Sequence, residues 1–244
     1  MIPYERKQKI LELLSEHDLI KIKTLHEKMS SVSISTIRRD LKDLEREGLV
    51  TLLPGGAIKL FSKSKDVPIA SRVSLNRDKK AVIAKKAAEF VHSGDTVYID
   101  SGSTCTELMR ILLTMDIKII TSNTALENLS LEIAADVYSL GGHVNLRNNS
   151  LQGELTLHNL EFFNFDKAFL GVNGVDIEKG YTTPNLSEAV KKQKVIERSQ
   201  EVYYLSDDTK FDKVYMMTIG SIKDTNLICN QSNKKFEEIC NVIS

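Results

Sequence analysis

Apolar residues recur three and four positions apart near the start of the chain, which is the spacing that buries one face of a helix. In the first such pattern these residues are Ile10, Leu13 and Leu14. The whole region predicts three helices around one short strand: helices over Tyr4–Glu16, Thr24–Met29 and Ile34–Glu47, and a strand over Ile20–Lys23.

The third predicted helix carries a basic outer face. Ser33 is a good N-cap, and Gly48 stands where a helix commonly ends. The inner stripe consists of Ile37, Leu41 and Leu44. The opposite side carries a hydroxyl and several cations: Ser35, Arg39, Lys42 and Arg46, with Arg38 on the flank. Such a face suits the DNA major groove, although ordinary surface ion pairs with Asp43, Glu45 and Glu47 are the alternative.

A hairpin signal follows the basic helix. Pro54-Gly55-Gly56 separates two apolar runs, Leu49–Leu53 and Ala57–Phe61. Two short helices, a polar turn, a basic third helix and a hairpin occur in the order of a winged helix-turn-helix. We therefore predict such a domain over residues 1–60.

Short apolar runs alternate with helical patterns in the rest of the chain, after a segment rich in Ser, Lys and Asp that we predict to be a linker over 61–76. Alternation of this kind predicts an α/β domain over 77–244, a Rossmann-like parallel sheet covered by helices. The predicted strands are Thr96–Ile99, Ile117–Thr121, Val137–Leu140, Lys167–Leu170, Val202–Leu205, Met216–Ile219 and Leu227–Cys229. The predicted helices are Asp78–His92, Thr106–Leu113, Ala125–Ala134, Leu155–Phe163, Asn185–Ser199 and Lys234–Val242.

Polar or glycine-rich residues follow the predicted strands, at the edge where open parallel sheets bind ligands. The sharpest example is Ser101-Gly102-Ser103-Thr104, between a strand and a helix N-terminus. Its amides, its hydroxyls and the helix dipole suit an anion such as a phosphate. A plain turn capped by Thr104 is the alternative.

Two sets of motifs resemble the DeoR family of bacterial sugar-metabolism repressors. The first is Val32-Ser33-x-x-Thr36-Ile37-Arg38-Arg39-Asp40-Leu41, followed by Leu44-Glu45 and Gly55-Gly56-Ala57. The second resembles the family's sensor domain, which is similar to sugar-phosphate isomerases: Asp100–Thr104, Asn123, Gly141-Gly142, Asp166–Gly171, Glu188-Ala189 with Lys192, and Asp207-x-x-Lys210-Phe211. The resemblance covers nearly the whole chain.

This resemblance implies two partners, an operator in double-stranded DNA and a phosphorylated sugar as effector. The implied DNA-binding residues are Ser35, Thr36, Arg38, Arg39, Lys42 and Arg46. The implied effector-binding residues are Asp100, Ser101, Gly102, Ser103, Thr104, Asn123, Gly141, Gly142, Glu188, Asp207 and Lys210. Within this set, Ser101 to Thr104 and Lys210 would hold the phosphate, and the acidic and amide side chains would accept sugar hydroxyls. A helix-surface pair is the alternative for Glu188 and Lys192, which stand four residues apart.

Charge and composition limit the remaining possibilities. The chain has 33 Lys and Arg against 33 Asp and Glu, and residues 1–60 hold 11 against 9. DNA affinity must therefore come from local placement and from doubling in a homodimer or homotetramer. No apolar run approaches the ~18–20 residues of a membrane span, and no signal-peptide pattern is visible. The three cysteines share no metal-ligand spacing, so no bound metal is expected, and they cannot all pair with one another, which favours a reducing cytoplasm.

Two functional classes stay open. The first is a transcriptional regulator, a repressor of a sugar-utilisation operon whose DNA binding responds to a phosphorylated sugar, with no cofactor and no catalytic residue. The second is a sugar-phosphate isomerase-like enzyme with an appended DNA-binding domain, in which Asp100, Glu188, Asp207 or Lys210 would serve as acid or base. The second ranks lower because no catalytic signature stands out and the N-terminal region would have no role.

Overall fold

The computed structural model describes residues 2–15, 17, 19–46, 49–60, 69–128 and 132–244. The chain divides into two units, Met1–Asn76 and Arg77–Ser244. In the N-terminal unit the helices are α1 (Pro3–Ser15), α2 (Ile22–Lys28), α3 (Ile34–Arg46) and α4 (Ile69–Ser74), and the strands are β1 (Ile20–Lys21), β2 (Val50–Leu53) and β3 (Ala57–Leu60).

Helices α1, α2 and α3 share one apolar core with the small sheet. Leu14, Leu25 and Leu41 are buried in it, one from each helix. The sheet has the order β1-β3-β2 and is antiparallel. Gly55 and Gly56, between β2 and β3, have φ angles of 77° and 74°, a region that glycine enters without a Cβ clash. The predicted winged helix-turn-helix is confirmed.

Two predicted boundaries in this unit differ from the structure. The predicted strand over Ile20–Lys23 stops at Lys21, because Ile22 lies three residues before the buried Leu25 and joins the inner face of α2. Helix α4 occupies part of the segment predicted as a linker. Residues 61–68 of that segment lie outside the described residues, as do Glu16, Glu47 and Gly48 at the predicted helix ends.

A seven-stranded parallel sheet forms the centre of the C-terminal unit, in the order β15-β14-β12-β9-β4-β5-β6. Two small antiparallel sheets, β10-β11-β13 and β7-β8, accompany it. The strands are β4 (Thr96–Ile99), β5 (Lys118–Thr121), β6 (Asp136–Ser139), β7 (His143–Asn145), β8 (Ser150–Gln152), β9 (Phe165–Gly171), β10 (Gly174–Asp176), β11 (Gly180–Thr183), β12 (Ser199–Ser206), β13 (Met217–Gly220), β14 (Asn226–Cys229) and β15 (Asn241–Ile243). The helices are α5 (Arg77–Ala88), α6 (Ser103–Leu112), α7 (Glu154–Leu160), α8 (Leu186–Glu197) and α9 (Lys234–Glu237).

The sheet has an apolar core on each face. Along β4, Val97 and Ile99 enter the core that α5 and α6 cover, whereas Tyr98 enters the other core, which α7, α8 and α9 cover. Successive side chains of a strand point to opposite faces, so both faces of this sheet are buried. The predicted α/β fold is confirmed. No helix in the described ranges is long and apolar enough to cross a membrane.

Two predicted helices of this unit are wrong in length. Ala125–Ala134 is reduced to a 3₁₀ turn at Ala125–Asn128; residues 129–131 lie outside the described residues, and 132–134 are not helical. The amides of Ala134 and Ala135 donate to the carbonyl of Leu113, which leads the chain into β6. Helix α9 ends at Glu237, and the predicted remainder up to Val242 gives way to β15, which pairs with β14.

Candidate functional site

The start of α3 is closed by hydroxyl groups. The amide of Thr36 donates to Ser33 Oγ at 3.2 Å, so the predicted N-cap is confirmed. Ser33 Oγ also lies 2.9 Å from Ser35 Oγ and 2.9 Å from Thr36 Oγ1. The cap therefore orders two hydroxyl groups of the predicted DNA-binding face at the first turn of the helix.

The outer face of α3 carries cations that the protein itself does not neutralise. Arg38, Arg39 and Lys42 are exposed, and none of them makes an ion pair or a hydrogen bond with another described residue. Arg46 differs, because its guanidinium lies 3.4 Å from the Asp43 carboxylate. The alternative of ordinary surface pairs therefore accounts for Arg46 alone among these four side chains in the described ranges.

Two acidic residues of α3 also contact neighbouring elements of the fold. Asp43 also lies 3.7 Å from Lys7 of α1, and Glu45 accepts a hydrogen bond from the amide of Leu52 in β2 at 2.9 Å. These contacts attach α3 to its neighbours and leave the outer cations available.

A buried ion pair joins α3 to α1. Arg6 Nε donates to Asp40 Oδ2 at 2.7 Å and Arg6 Nη2 donates to Asp40 Oδ1 at 3.0 Å, a bidentate arrangement. Both residues are buried. Our sequence reasoning missed this pair. The available signal was that Asp40 lies three positions after Ile37, on the inner side of a helix where a carboxylate needs a partner.

A cluster of buried charges lies at the carboxyl edge of the large sheet, and we call Asp100, Glu188, Lys191 and Lys192 the buried charge cluster. Asp100 follows β4, and the other three belong to α8. Asp100 Oδ2 accepts hydrogen bonds from Lys192 and from the amide of Gly171. Asp100 Oδ1 accepts no hydrogen bond from any described residue, although Lys191 Nζ lies 3.9 Å away.

One oxygen of Glu188 is occupied within this cluster. Its Oε1 accepts hydrogen bonds from Ser150 Oγ at 2.6 Å, from Gln152 Nε2 at 3.2 Å and from Lys191 Nζ at 3.2 Å. Burial would raise the pKa of Glu188, but the charges of Lys191 and Lys192 outweigh it and lower that pKa. Glu188 therefore remains a carboxylate at neutral pH.

The alternative of a helix-surface pair for Glu188 and Lys192 is wrong. Only 5% of Glu188 and 3% of Lys192 is exposed. Burial would lower the pKa of Lys192, but Asp100 and Glu188 raise it, so the amine stays charged. Sequence reasoning missed Lys191, which shares the inward side of α8 with Glu188 three positions earlier. It also missed Ser150 and Gln152, because β8 is too short to leave an alternation signal.

The first turn of α6 lies directly after Asp100 of this cluster and has no side-chain cap within the described ranges. Gly102, with φ of 123°, precedes the helix, and no side chain of the described residues caps it. Thr104 is therefore not the cap of this helix, contrary to that part of the plain-turn alternative. Ser101, Ser103 and Thr104 are buried. Unpaired amides and a helix dipole at such a position attract an anion.

Asn123 is held beside the same helix. Its Nδ2 donates to Thr106 Oγ1 at 2.8 Å, and its Oδ1 accepts from the amide of Ala125 at 2.9 Å. An amide side chain can make further hydrogen bonds through its second N–H and its second lone pair. The two hydrogen bonds therefore fix the orientation of the Asn123 amide, and Nδ2 and Oδ1 can each make one more.

Asp207 and Lys210 lie at the end of β12. Lys210 Nζ donates to the carbonyl of Val172 at 2.8 Å. Val172 directly follows Gly171, whose amide donates to Asp100. Burial would raise the pKa of Asp207, but Lys210 and the hydrogen bond from Thr209 lower it. This carboxylate is partly used within its own turn, since the Thr209 amide donates to Oδ1 at 3.1 Å.

Gly141 and Gly142 contact α7 closely. The Gly141 amide donates to Asn159 Oδ1 at 2.8 Å. A Cβ on Gly142, whose φ is 139°, would overlap Thr156 Oγ1 and lie 2.8 Å from the Gln152 carbonyl. These contacts give both glycines a packing reason that is independent of any ligand.

Comparison with known proteins places both units in one family. A model described as the DeoR-like helix-turn-helix domain matches residues 6–63, and one described as the DeoR C terminal sensor domain matches residues 75–231. The chain is 34% identical to the "uncharacterized HTH-type transcriptional regulator FruR" of Bacillus subtilis (strain 168), over 96% of this chain and 93% of that protein. It is 32% identical to the glycerol-3-phosphate regulon repressor of Escherichia coli (strain K12), over 89% of this chain and 86% of that protein.

Among solved structures, ribose 5-phosphate isomerase A of Methanocaldococcus jannaschii aligns with 56% of this chain and 55% of its own, with a TM-score of 0.41 and 18% identity. Both relatives named above are regulators of transcription, so the enzyme alternative is set aside. The chain belongs to the DeoR family of transcriptional regulators.

Proposed function

We propose that this regulator is a cytoplasmic repressor of a sugar-utilisation operon and that it binds its operator through α3 as a homodimer or homotetramer. The observation that carries the proposal is the set of exposed cations Arg38, Arg39 and Lys42, which make no ion pair or hydrogen bond within the described residues. Cations that are free in the protein are available to phosphates and guanine edges. Ser35, Thr36 and Arg46 complete the proposed DNA-binding face.

Replacing Arg39 with Ala should weaken operator binding by about 1–3 kcal/mol, which is a rise in Kd of roughly fivefold to 150-fold. A guanidinium that contacts a base also sets specificity at that base pair. The loss of affinity caused by Arg39→Ala should therefore be smaller on operators in which that base pair has been changed. The measurement is fluorescence anisotropy with duplexes from the region upstream of the gene, at constant salt because phosphate contacts are screened.

The matched control for Arg39→Ala is Lys85→Ala, which removes an exposed cation from α5 in the other unit. We expect that variant to bind like the wild type. Equal affinities for Arg39→Ala and the wild type would contradict the assignment of this face. Failure of the wild type to bind any upstream duplex at low salt would contradict the repressor proposal itself.

We further propose that the carboxyl edge of the large sheet binds a phosphorylated sugar that changes operator affinity. The open first turn of α6 supports a phosphate near Ser101, Gly102, Ser103 and Thr104, with the charge of Lys210 at the same edge. Asp100 and Asn123 keep hydrogen-bonding capacity for sugar hydroxyls.

Within this proposal the acidic residues differ in role. Asp100 Oδ1 is the buried acceptor without a hydrogen bond from the described residues, so it suits a ligand hydroxyl. Glu188 already accepts three hydrogen bonds at Oε1, so its part is to position Lys191 and Ser150. Asp207 is engaged by Thr209 and retains only its other oxygen, while Gly141 and Gly142 shape the edge from the side of α7.

Replacing Lys210 with Ala should leave operator binding intact and weaken the effector response. Loss of a charge-assisted hydrogen bond to phosphate removes about 1.5–3 kcal/mol, so about tenfold or more effector should be needed. A thermal-shift screen against phosphorylated sugars identifies the effector, since a ligand of the native state raises Tm. The same compound is then titrated against the protein–operator complex.

Lys223→Ala, an exposed lysine in the turn before β14, is the control for Lys210→Ala. A normal effector response in Lys210→Ala would contradict the phosphate assignment. Absence of any Tm shift across the panel, with operator binding intact, would contradict the effector proposal and leave the DNA-binding proposal standing.

A further inference from the structure

The helices on the two faces of the large sheet differ in what they expose. On α7 and α8, Leu155 is 56% exposed, Phe162, just after α7, is 72% exposed, and Leu186 is 58% exposed; Val190 is exposed as well. On α5 and α6, both fully within the described ranges, Val82 is the one exposed large apolar side chain. The layer of α7 and α8 therefore exposes several large apolar side chains, whereas α5 and α6 expose one.

The exposed apolar residues of α7 and α8 form aligned stripes. Leu155 and Phe162 are seven residues apart, and Leu186 and Val190 are four apart, so each pair lies on one side of its helical segment. Single exposed apolar residues scattered over a surface are ordinary. Stripes on adjacent helices are instead typical of an interaction surface.

Contacts between the two helices make the stripes one surface. Arg198, which follows α8, donates to the Glu161 carbonyl at 2.7 Å, and the Lys194 amine lies 3.6 Å from the Glu161 carboxylate. At the other side of α7, the rings of Phe163 and Tyr138 lie 6.0 Å apart. Tyr138 is exposed and belongs to β6. We call Tyr138, Leu155, Phe162, Leu186 and Val190 the α7–α8 face.

We propose that the α7–α8 face is the surface on which a second copy of this chain binds. Its charges favour a like partner. Lys194 lies 3.6 Å from Glu161 and 3.7 Å from Glu197, so both signs are interleaved beside the apolar stripes. Interleaved charges of this kind can pair with their symmetry copies across a two-fold interface.

The edge of the large sheet adds a second reason for a copy of the same chain. β6 is the terminal strand on this side, and its outer backbone groups pair with no strand of the described residues. Unpaired edge groups are satisfied by another strand, and Tyr138 connects this edge to the apolar stripes.

The test is the solution mass of the full chain by sedimentation velocity over a range of concentrations, without DNA. The wild type is expected to be a dimer or a larger even-numbered oligomer. Phe162→Glu should shift the mass toward the monomer, with self-association weakened about tenfold or more, because two-fold symmetry brings a carboxylate from each copy into an apolar contact. Val190→Glu tests the same face from α8.

Val82→Glu is the matched control, because it places the same charge on an exposed apolar residue of the opposite helical layer. It should retain the wild-type mass, and thermal unfolding verifies that all three variants fold. A monomeric wild type would overturn the proposal, and so would wild-type mass in both Phe162→Glu and Val190→Glu, or dissociation in Val82→Glu as well. This inference rests on the self-association that is part of the proposed function. A monomeric wild type would contradict both, whereas wild-type mass in both Phe162→Glu and Val190→Glu would contradict only the assignment of this face.

Discussion

Replacing Lys192 with Met is expected to destabilise the C-terminal unit by about 3–5 kcal/mol, the range typical of breaking a buried ion pair. Lys192 is 3% exposed and pairs with Asp100, which is fully buried. Methionine fills a similar volume but neutralises nothing. Asp100 and Glu188 would then share only Lys191 within the described residues, so an uncompensated carboxylate would stay buried.

Urea unfolding of the variant and the wild type measures this loss. Lys194→Met is the control on the same helix: Lys194 is 30% exposed and pairs with Glu161 and Glu197, so its removal should cost no more than about 1 kcal/mol. Equal stability of the Lys192→Met and Lys194→Met variants would show that the buried charge cluster contributes little.

The same variant should also be more sensitive to acid. In the wild type the pKa of Glu188 is lowered on folding, so its contribution to stability is present above its ordinary pKa of about 4.5 and is lost as the pH falls through the lower folded value. Without Lys192 the folded pKa of Glu188 rises toward its ordinary value. We expect the acid transition of Lys192→Met to begin at higher pH, as near-ultraviolet circular dichroism would record.

Gly142→Ala is expected to destabilise the C-terminal unit by about 2–4 kcal/mol, because backbone strain and a steric clash add together. Gly142 has a φ of 139°, and a Cβ there would overlap Thr156 Oγ1. Thr156 cannot turn away freely, since its hydroxyl donates to the Gly141 carbonyl at 2.7 Å. The variant should unfold at lower urea concentration with an unchanged m-value.

Gly94→Ala separates the two contributions in this prediction. Gly94 also has a positive φ, 90°, but a Cβ on it would meet nothing within 4 Å. The free energy of unfolding of Gly94→Ala should therefore fall by only about 1–2 kcal/mol, from backbone conformation alone. Equal losses for the two alanine variants would contradict a close-packing role for Gly142.

Most of the N-terminal unit could be predicted from the sequence because its elements carry local signals. Ser33 marks the start of α3, and helical spacing marks its buried stripe. The inward position of Asp40 indicates that it needs a partner, but not that the partner is Arg6, which stands 34 positions away. Tertiary pairs of this kind depend on how helices cross, which periodicity does not encode.

The α/β unit shows the same division. The central strands were predicted within a few residues because buried parallel strands are continuous apolar runs. The segment Ala125–Ala134 has helix-forming composition. At its end, however, the amides of Ala134 and Ala135 donate to the Leu113 carbonyl instead of to a preceding helical turn, which is a tertiary contact that composition does not encode. At the site, Asp100 and Glu188 are both predicted as acceptors for a ligand. In the structure Glu188 instead accepts hydrogen bonds from Ser150 and Gln152, which the folded β7–β8 hairpin places beside it.

The bidentate contact between Arg6 and Asp40 bears on how the protein would discriminate among DNA sequences. A reading helix that is already anchored in the free protein loses little conformational entropy when it docks. An anchored helix also has little freedom to re-aim toward an imperfect site. Mismatched base pairs would then be left with unsatisfied donors and acceptors, and selectivity would arise from rigidity rather than from additional contacts.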